Sequence, residues 1–488
     1  MGAPAARAPR IAILGAGMSG ILSAIKLREA GLDDLVIYEK AERVGGTWRE
    51  NTYPGVGCDV PSHLYSYSFA PNPDWSHRFS PGDEIQAYFE RVARENGVEE
   101  RVRFGEEITQ LAFEDGRWRI ETSKGRRDAA DFVIAATGVL HHPKLPDIAG
   151  LDDFDGAMFH SARWDHSVEL AGRRVGVIGT GSTAIQIVPA IVDRVARVEL
   201  FQRTPQWVMP QENPAFTDEE KADFRAHPEK LREMHAGISQ MFAAGFANAV
   251  VDADSPQMRA IEEMCRENLE RSVADPALRE KLRPSYRAGC KRLVISPNFY
   301  DAIQEPNARL VTEGIERIER RGVRTQDGEL HELDVIALAT GFAVDRFLRP
   351  IEVTGRDGLR LDDVWKERPS AYLSVAIPGF PNLFMLNGPN GPVGNFSLIE
   401  VAELQLAYAM QLIELVRAGR CREVEPTEEA TARFERDRVA AASRTVWSTG
   451  CRSWYLDDRG VPAAWPWTFD RFRADMAAPV LADYALEA

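Results

Sequence analysis

The sequence predicts an α/β fold with two similar strand–loop–helix units, and three observations support this prediction. A glycine-rich loop, Gly15–Gly20, lies between a short apolar run and a stretch of helical pattern. A second glycine-rich loop with the same neighbours begins at Gly179. An acidic residue, Glu39, follows the first loop, and a basic residue, Arg203, follows the second at the same distance along the chain. This arrangement predicts two Rossmann-like dinucleotide-binding domains.

The first loop contains the residue types that hold a pyrophosphate. The apolar run Ile11–Leu14 is typical of a buried parallel strand, and Gly15, Gly17 and Gly20 lead from it into a predicted helix. Backbone N–H groups at the start of such a helix bind phosphate oxygens. Glu39 ends the next predicted strand, where a carboxylate accepts hydrogen bonds from ribose hydroxyls and repels a 2′-phosphate.

The second loop has the same construction with the opposite charge at its end. Gly179 and Gly181 are followed by Ser182 and Thr183, which open the predicted helix. Arg203 stands where the first unit has its acid, and a cation there pairs with a 2′-phosphate. The alternative is that Arg203 is a solvated surface charge. The comparison of the two units indicates two different dinucleotides, FAD in the first and NADPH in the second.

A glycine-rich stretch follows the first unit's acid. It contains Gly46, Thr47 and Trp48, then a Pro-Gly pair, and ends at Asp59. Glycines beside a Trp predict a loop that lies against a flat ligand rather than a strand. Asp59 alone has a simpler interpretation, as the cap of a helix that starts at Val60.

The connector between the two units is unusually aromatic. It contains Phe154, Gly156, His160, Trp164 and Asp165. Taken alone, it is typical of an apolar linker with a turn at the glycine. Its position between two nucleotide-binding units makes it a candidate hinge as well.

These patterns predict a discontinuous domain organisation. Residues 1–150 form the first part of the FAD-binding domain, residues 151–342 form the NADP-binding domain, and residues 343–488 return to the FAD-binding domain and end in an aromatic tail. A charged, helical insertion is expected at about residues 212–290. Within the first part, the segments 102–104 and 118–122 alternate like strands of a hairpin.

Two basic residues follow the insertion, and an aromatic cluster lies near the C-terminal end of the chain. Lys291 and Arg292 come directly after a Gly-Cys pair, and a surface basic pair is the ordinary interpretation of such a sequence. Trp454 lies in the aromatic tail, and its ring N–H needs an acceptor.

Bulk composition excludes several classes of function. The chain of 488 residues carries a formal net charge of −15, which argues against binding to nucleic acid or to an anionic membrane. Its longest weakly polar run, residues 237–251, is too short to span a bilayer. Five scattered cysteines without a CxxC pair indicate reduced thiols, no metal site and a cytoplasmic location.

The connector and the glycine-rich stretch together resemble a known family. The pattern Phe154-x-Gly156-x-x-x-His160-x-x-x-Trp164-Asp165 is similar to the fingerprint of single-chain, FAD- and NADPH-dependent Baeyer–Villiger monooxygenases. The stretch from Gly45 to Asp59 is similar to that family's second fingerprint. Gln206 departs from the pattern, since some members carry His or Lys there.

The resemblance implies roles for individual residues. It makes Arg292 the active-site arginine and Asp59 the carboxylate that holds it. It makes Arg203 and Lys291 ligands of the 2′-phosphate, and Trp454 the ligand of the nicotinamide ribose.

The resemblance also implies the reaction, which is the insertion of one oxygen atom of O₂ next to a ketone carbonyl to give an ester or lactone. Arg292 would stabilise an anionic C4a-peroxyflavin, and no partner other than cofactors, ketone and O₂ is expected. One alternative is an enzyme that oxygenates nitrogen or sulfur, which does not need this arginine. Another is an NADPH oxidase or reductase that never transfers oxygen.

Overall fold

The structure, a computed structural model, describes residues 8–487 and contains two five-stranded parallel sheets. The strand order of the first sheet is Leu383–Met385, Phe132–Ala135, Ile11–Leu14, Leu35–Glu39 and Val102–Phe104. Every neighbouring pair in it is parallel. The central strand is completely buried, as expected for a sheet covered on both faces. One edge strand comes from the C-terminal third, so the chain returns to this sheet after building the second.

The second sheet repeats the parallel arrangement. Its strand order is Ala308–Val311, Arg197–Phe201, Arg174–Ile178, Val335–Leu338 and Ala157–His160. The neighbouring pairs are again all parallel. The α/β fold with two Rossmann-like units is therefore confirmed.

Four smaller sheets lie beside the two parallel ones. They consist of Glu352–Thr354 with Ile108–Glu114, Arg117–Thr122 and Arg127–Ala130; Ile315–Glu319 with Gly322–Thr325 and Leu330–Glu332; Val208–Met209 with Val294–Ile295; and Glu423–Pro426 with Tyr484–Glu487. The hairpin expected from residues 102–104 and 118–122 is wrong, because Val102–Phe104 lies parallel to Leu35–Glu39 in the first sheet. Arg117–Thr122 forms its hairpin with Ile108–Glu114 instead. Three alternating residues are too few to distinguish a parallel edge strand from a hairpin strand.

Helices cover the sheets and form a separate layer between residues 218 and 282. The α-helices are Met18–Glu29, Thr47–Glu50, Gly82–Glu95, Ser182–Ile191, Asp218–Ala226, Pro228–Phe242, Pro256–Ser272, Pro276–Leu282, Phe299–Ala302, Leu361–Val364, Leu398–Arg417, Glu428–Ala442 and Phe469–Ala477. A π-helical turn, Ala243–Ala247, interrupts the separate layer, and short 3₁₀ turns are Glu99–Arg101, Leu151–Asp153, Ser161–Arg163, Arg356–Gly358, Val446–Ser448 and Leu481–Asp483. Within residues 8–487 no helix combines the length and apolar composition needed to cross a bilayer.

Two chain crossings connect the two sheets and run side by side. The backbone N–H of Lys144 in the first crossing donates to the carbonyl of Gly341 in the second, at 2.9 Å. The hydroxyl of Thr340 donates to the carbonyl of Lys144 at 2.6 Å. Gly138 and Gly341 both adopt positive φ where the strands end. The junction between the units is therefore a paired, hydrogen-bonded double crossing.

The prediction that the five cysteines are reduced thiols is wrong for two of them. Cys290 and Cys451 form a disulfide across 161 residues of sequence, while Cys58, Cys265 and Cys421 are free. Scattered spacing gave no sign of this pair, because the two loops meet only in the folded chain.

The lowered pKa values of two histidines predict how stability depends on pH. His63 packs edge-on against the rings of Phe216 and Phe224, with centroids 5.1 Å away, and so contacts the helical layer. Burial, and secondarily the neighbouring His235, lowers the pKa of His63 to about 4. Burial likewise lowers the pKa of His141 to about 3. Both side chains are thus held neutral in the folded protein.

We expect the free energy of unfolding to fall as the pH drops below about 6.5, where these histidines take up protons only in the unfolded chain. By about pH 5, His63 alone should contribute a loss of about 2 kcal/mol, since one pKa unit corresponds to about 1.4 kcal/mol. Urea unfolding at about pH 7.5 and pH 5 measures this. His63→Phe should flatten the dependence, whereas His227→Phe on the exposed surface should not. An unchanged slope in His63→Phe would contradict the assignment.

Candidate functional site

Both glycine-rich loops leave helix N-termini open. Gly17 and Gly181 stand at the N-caps of Met18–Glu29 and Ser182–Ile191, and neither helix start has a side-chain cap. A Cβ on Gly20 would lie 1.9 Å from the carbonyl oxygen of Gly15, so that close approach requires glycine. The free N–H groups and the positive end of each helix dipole suit a phosphate group. The placement of Gly179, Ser182 and Thr183 matches that of the first loop.

Glu39 lies beside the first loop with its carboxylate fixed. One of its oxygens accepts from the N–H of Ala16 and the other from the N–H of Ala41, both at 2.9 Å. The carboxylate retains acceptor capacity, as binding to ribose hydroxyls requires. Arg49 approaches to 3.4 Å, a contact that sequence reasoning missed because the sequence does not show how the turn that carries Arg49 folds back towards Glu39.

The glycine-rich stretch is partly helical rather than a plain loop. Thr47–Glu50 forms one helical turn, so the loop prediction is wrong there. Gly46, with a φ of 57°, packs its Cα close to Gly17 of the phosphate loop. The ring N–H of Trp48 donates to the Tyr65 hydroxyl at 3.0 Å. This turn is therefore packed directly against the first phosphate loop.

Asp59 and Arg292 form an ion pair across the two units. The Arg292 guanidinium donates to the Asp59 carboxylate and, at 3.4 Å, to the carbonyl of Gly394. The charge of Asp59 raises the pKa of Arg292 above its usual value and outweighs the opposing effect of burial. Asp59 starts no helix, so the cap interpretation does not hold. A permanent cation is thus held at the junction with about a third of its side chain exposed.

Arg203 and Lys291 provide a second positive centre. Neither has a carboxylate partner within residues 8–487, which contrasts with the paired Arg292. Burial, followed by the nearby charge of Arg203, lowers the pKa of Lys291. The Lys291 amine lies 4.9 Å from the centroid of the Tyr286 ring. Two neighbouring cations without counter-ions suit a dianionic phosphate.

Gln206 lies close to this positive centre through the same tyrosine. Its side-chain carbonyl accepts from the Tyr286 hydroxyl at 2.9 Å. The amide nitrogen of Gln206 therefore remains available as a donor.

A cavity of about 890 Å³ opens where the two units meet. Its lining includes Trp48 and Asp59 from the first unit and Gln186 and Ile295 from the second. Gln186 accepts from the Tyr53 hydroxyl at 2.7 Å and donates to the carbonyl of Gly57 at 3.0 Å. Arg292 is not part of the lining, so the cavity reaches the ion pair from the Asp59 side.

Part of the connector is a strand and not a plain linker. Ala157–His160 forms the edge of the second sheet. A Cβ on Gly156 would lie 2.5 Å from the Asp334 carbonyl and 2.6 Å from the Phe154 ring, which explains the glycine. Periodicity missed the strand because three of its four residues are only partly buried, so neither face is clearly apolar.

His160 at the end of that strand is hydrogen-bonded through both ring nitrogens. Nε2 donates to the carbonyl of Gly341 at 3.0 Å, and Nδ1 accepts from the N–H of Ala162 at 3.1 Å. Burial lowers the pKa of His160. Trp164 is buried against Phe159, whereas Asp165 is exposed and accepts from the backbone and hydroxyl of Ser167.

Trp454 is 40% exposed. Its ring lies against that of Tyr455, with centroids 4.1 Å apart and the planes tilted by 32°, and its ring N–H has no acceptor within residues 8–487. Sequence reasoning missed Tyr455, whose hydroxyl lies beside Gly394 and interacts with Arg292. Its adjacency to Trp454 was the only signal in the sequence.

Comparison with known proteins identifies relatives along nearly the whole chain. Residues 12–217 match the family model described as pyridine nucleotide-disulphide oxidoreductase. An uncharacterized monooxygenase of Mycobacterium tuberculosis is 49% identical over 96% of this chain and 94% of its own length. A Baeyer–Villiger monooxygenase of Streptomyces coelicolor is 43% identical over 97% of this chain and 92% of its own length.

The fold agrees with a solved structure as well. Cyclohexanone monooxygenase from Rhodococcus sp. Phi1, bound to NADP⁺, superposes with a TM-score of 0.88 at 29% identity, covering 98% of this chain and 99% of that one. The identity, the coverage and the shared fold together show that this chain belongs to the Baeyer–Villiger monooxygenase family.

Proposed function

We propose that the protein is an FAD- and NADPH-dependent Baeyer–Villiger monooxygenase that converts a ketone into an ester or lactone. The observation that carries this proposal is the Arg292–Asp59 ion pair, which holds a permanent cation where the two nucleotide-binding units meet. Solved relatives contain FAD and NADP, and the two open helix N-termini of this chain suit two such dinucleotides.

We assign FAD to residues 1–150 and 343–488, and NADPH to residues 151–342 with the insertion at about 212–290. Glu39 would accept the ribose hydroxyls of FAD and exclude a 2′-phosphate. Arg203 and Lys291, which lack carboxylate partners in the described chain, would bind the 2′-phosphate of NADPH. Trp454, whose ring N–H is unpaired among residues 8–487, would donate to the nicotinamide ribose.

FAD, when bound, supplies the electron and oxygen chemistry. The contribution of the chain is electrostatic. Negative charge develops on the reacting oxygens when a carbonyl is attacked, and Arg292 stabilises it because its guanidinium cannot lose its proton at physiological pH. Asp59 fixes the guanidinium from the FAD side, so the cation need not reorganise during the reaction.

Oxygenation of nitrogen or sulfur is the second candidate function. Such chemistry uses an electrophilic oxygen and gains nothing from a fixed cation beside it. The ion pair of Arg292 with Asp59 and its partial burial favour the ketone reaction. An NADPH oxidase would likewise have no use for the Arg292–Asp59 pair.

Arg292→Ala should preserve reduction of the flavin by NADPH but reduce ester formation by about 100-fold or more, as loss of a transition-state donor does. Stopped-flow absorbance and product analysis with cyclic, linear and aryl ketones measure the two steps separately. Arg287→Ala is the matched control, since Arg287 precedes Arg292 in the same loop but pairs with Glu262. Normal ketone turnover in Arg292→Ala would refute the assignment.

Arg203→Ala should raise the KM for NADPH by about 10-fold to 100-fold, because a charge-assisted hydrogen bond is worth about 1.5–3 kcal/mol. The KM for NADH should hardly change, since NADH has no 2′-phosphate. Arg283→Ala, which removes a nearby arginine paired with Glu270, serves as control. Equal effects on both nucleotides would remove the phosphate role from Arg203.

A further inference from the structure

The disulfide Cys290–Cys451 joins two loops that each carry a proposed site residue. Cys290 immediately precedes Lys291 and Arg292, and Cys451 lies three residues before Trp454. The Cα atoms of the two cysteines are 6.1 Å apart. The bond therefore connects the loop that carries Arg292 directly to the loop that carries Trp454.

The bond lies inside a hydrophobic cluster of its own, here called the clasp cluster. Its buried members are Ala249, Val250, Val251, Ala253, Met258, Ile261, Cys265, Ala288, Cys290, Leu293, Val446, Trp447, Cys451, Tyr455 and Ala464. They come from the helical layer, the arginine loop and the C-terminal segment. A Cβ on Gly289 would approach Val446 to 3.3 Å, so the arginine loop and the C-terminal segment are in close contact there.

Tyr455 extends this contact to the cation itself. Its hydroxyl lies beside Gly394, whose carbonyl accepts from Arg292. Burial raises the pKa of Tyr455 to about 12, and the charge of Arg292 opposes that rise. A neutral phenol thus lies beside the guanidinium.

We propose that Cys290, Cys451 and Tyr455 are positioning residues that fix Arg292 and Trp454 relative to each other, with the disulfide as the covalent link. This inference rests on the proposed function. Asp59 holds the guanidinium from the side of the proposed FAD site. The two loops joined by the disulfide hold it from the side of the proposed NADP⁺ site. A displacement of about 1 Å at such a site lowers the rate by about 100-fold, so a covalent link between the loops has a direct effect on turnover.

Hydrogen peroxide is the oxidant in the proposed formation of the disulfide. Two thiols lose two electrons and two protons, one S–S bond forms, and hydrogen peroxide is reduced to two waters. A flavin monooxygenase that turns over without substrate releases hydrogen peroxide, so the proposed activity supplies this oxidant. A small dithiol reverses the reaction by exchange.

A count of free thiols tests whether Cys290 and Cys451 form the disulfide, and this test does not depend on catalytic activity. The denatured, unreduced holoenzyme should show three reactive thiols, those of Cys58, Cys265 and Cys421, and the reduced protein should show all five. Five thiols in the unreduced protein purified in air would overturn the proposal, even if the enzyme makes esters.

The Cys290→Ala/Cys451→Ala double variant tests the positioning role. We expect the Kd for NADP⁺ to rise about 10-fold and the hydrogen peroxide formed per NADPH to increase, with FAD content unchanged. Cys265→Ala is the matched control, because Cys265 is a free, buried cysteine of the same cluster. Tyr455→Phe should raise peroxide release without changing the thiol count or the NADP⁺ affinity.

Three other results of these experiments also bear on the positioning role. If the double variant melts earlier but keeps wild-type NADP⁺ affinity and peroxide release, the bond is only a structural staple and the proposal fails. If the double variant does not fold, the wild-type holoenzyme reduced by a dithiol is assayed in the same way, with the same expected changes. If no ketone is oxygenated, the NADP⁺ affinity and thiol count still test the link independently of the proposed function.

Discussion

The ion pair between Asp59 and Arg292 is the constraint on which the arrangement of the site depends. Asp59 belongs to the first unit and Arg292 follows the insertion of the second unit, so their contact joins the two units. The close packing of Gly46 against Gly17 places the glycine-rich stretch, and thereby Asp59, beside the first phosphate loop. The helical layer then returns the chain so that Arg292 meets that carboxylate. The position of the Arg292 cation therefore depends on the tertiary structure and not on any single helix, strand or loop.

The charge around Arg203 and Lys291 is positive, although the whole molecule has a negative net charge. The chain carries a formal net charge of −15, yet Arg203 and Lys291 lack carboxylate partners within residues 8–487. Their proximity costs energy, since burial and mutual repulsion lower the pKa of Lys291. Such a cost is typical of a site whose counter-ion is a ligand. At Glu39 the situation is reversed, because backbone N–H groups already satisfy part of the carboxylate and leave acceptor capacity for neutral hydroxyls.

Sequence patterns predicted the parts of this structure that depend on short-range order. The strand–loop–helix units and the place of Glu39 at the end of its strand follow from residues adjacent in the chain, and the structure contains them. Features that depend on contacts between distant parts of the chain could not be predicted from such patterns. The pairing of Cys290 with Cys451 and the position of Tyr455 beside Arg292 depend on loops separated by more than a hundred residues. The strand Ala157–His160 was missed because only its pairing with Val335–Leu338 makes it part of a sheet.

The connection between the units indicates how their relative position is controlled. His160 is neutral and uses both ring nitrogens, one of them on the carbonyl of Gly341 in the second crossing. A histidine so bonded has no free nitrogen to act as a base, and its lowered pKa removes it from titration near neutral pH. It therefore fastens the edge of the second sheet to the paired crossings that lead back to the first. The two crossings turn at Gly138 and Gly341, where φ is positive. The position of the second sheet relative to the first is thus set by hydrogen bonds at the crossings, and the Arg292 guanidinium is held by its ion pair with Asp59.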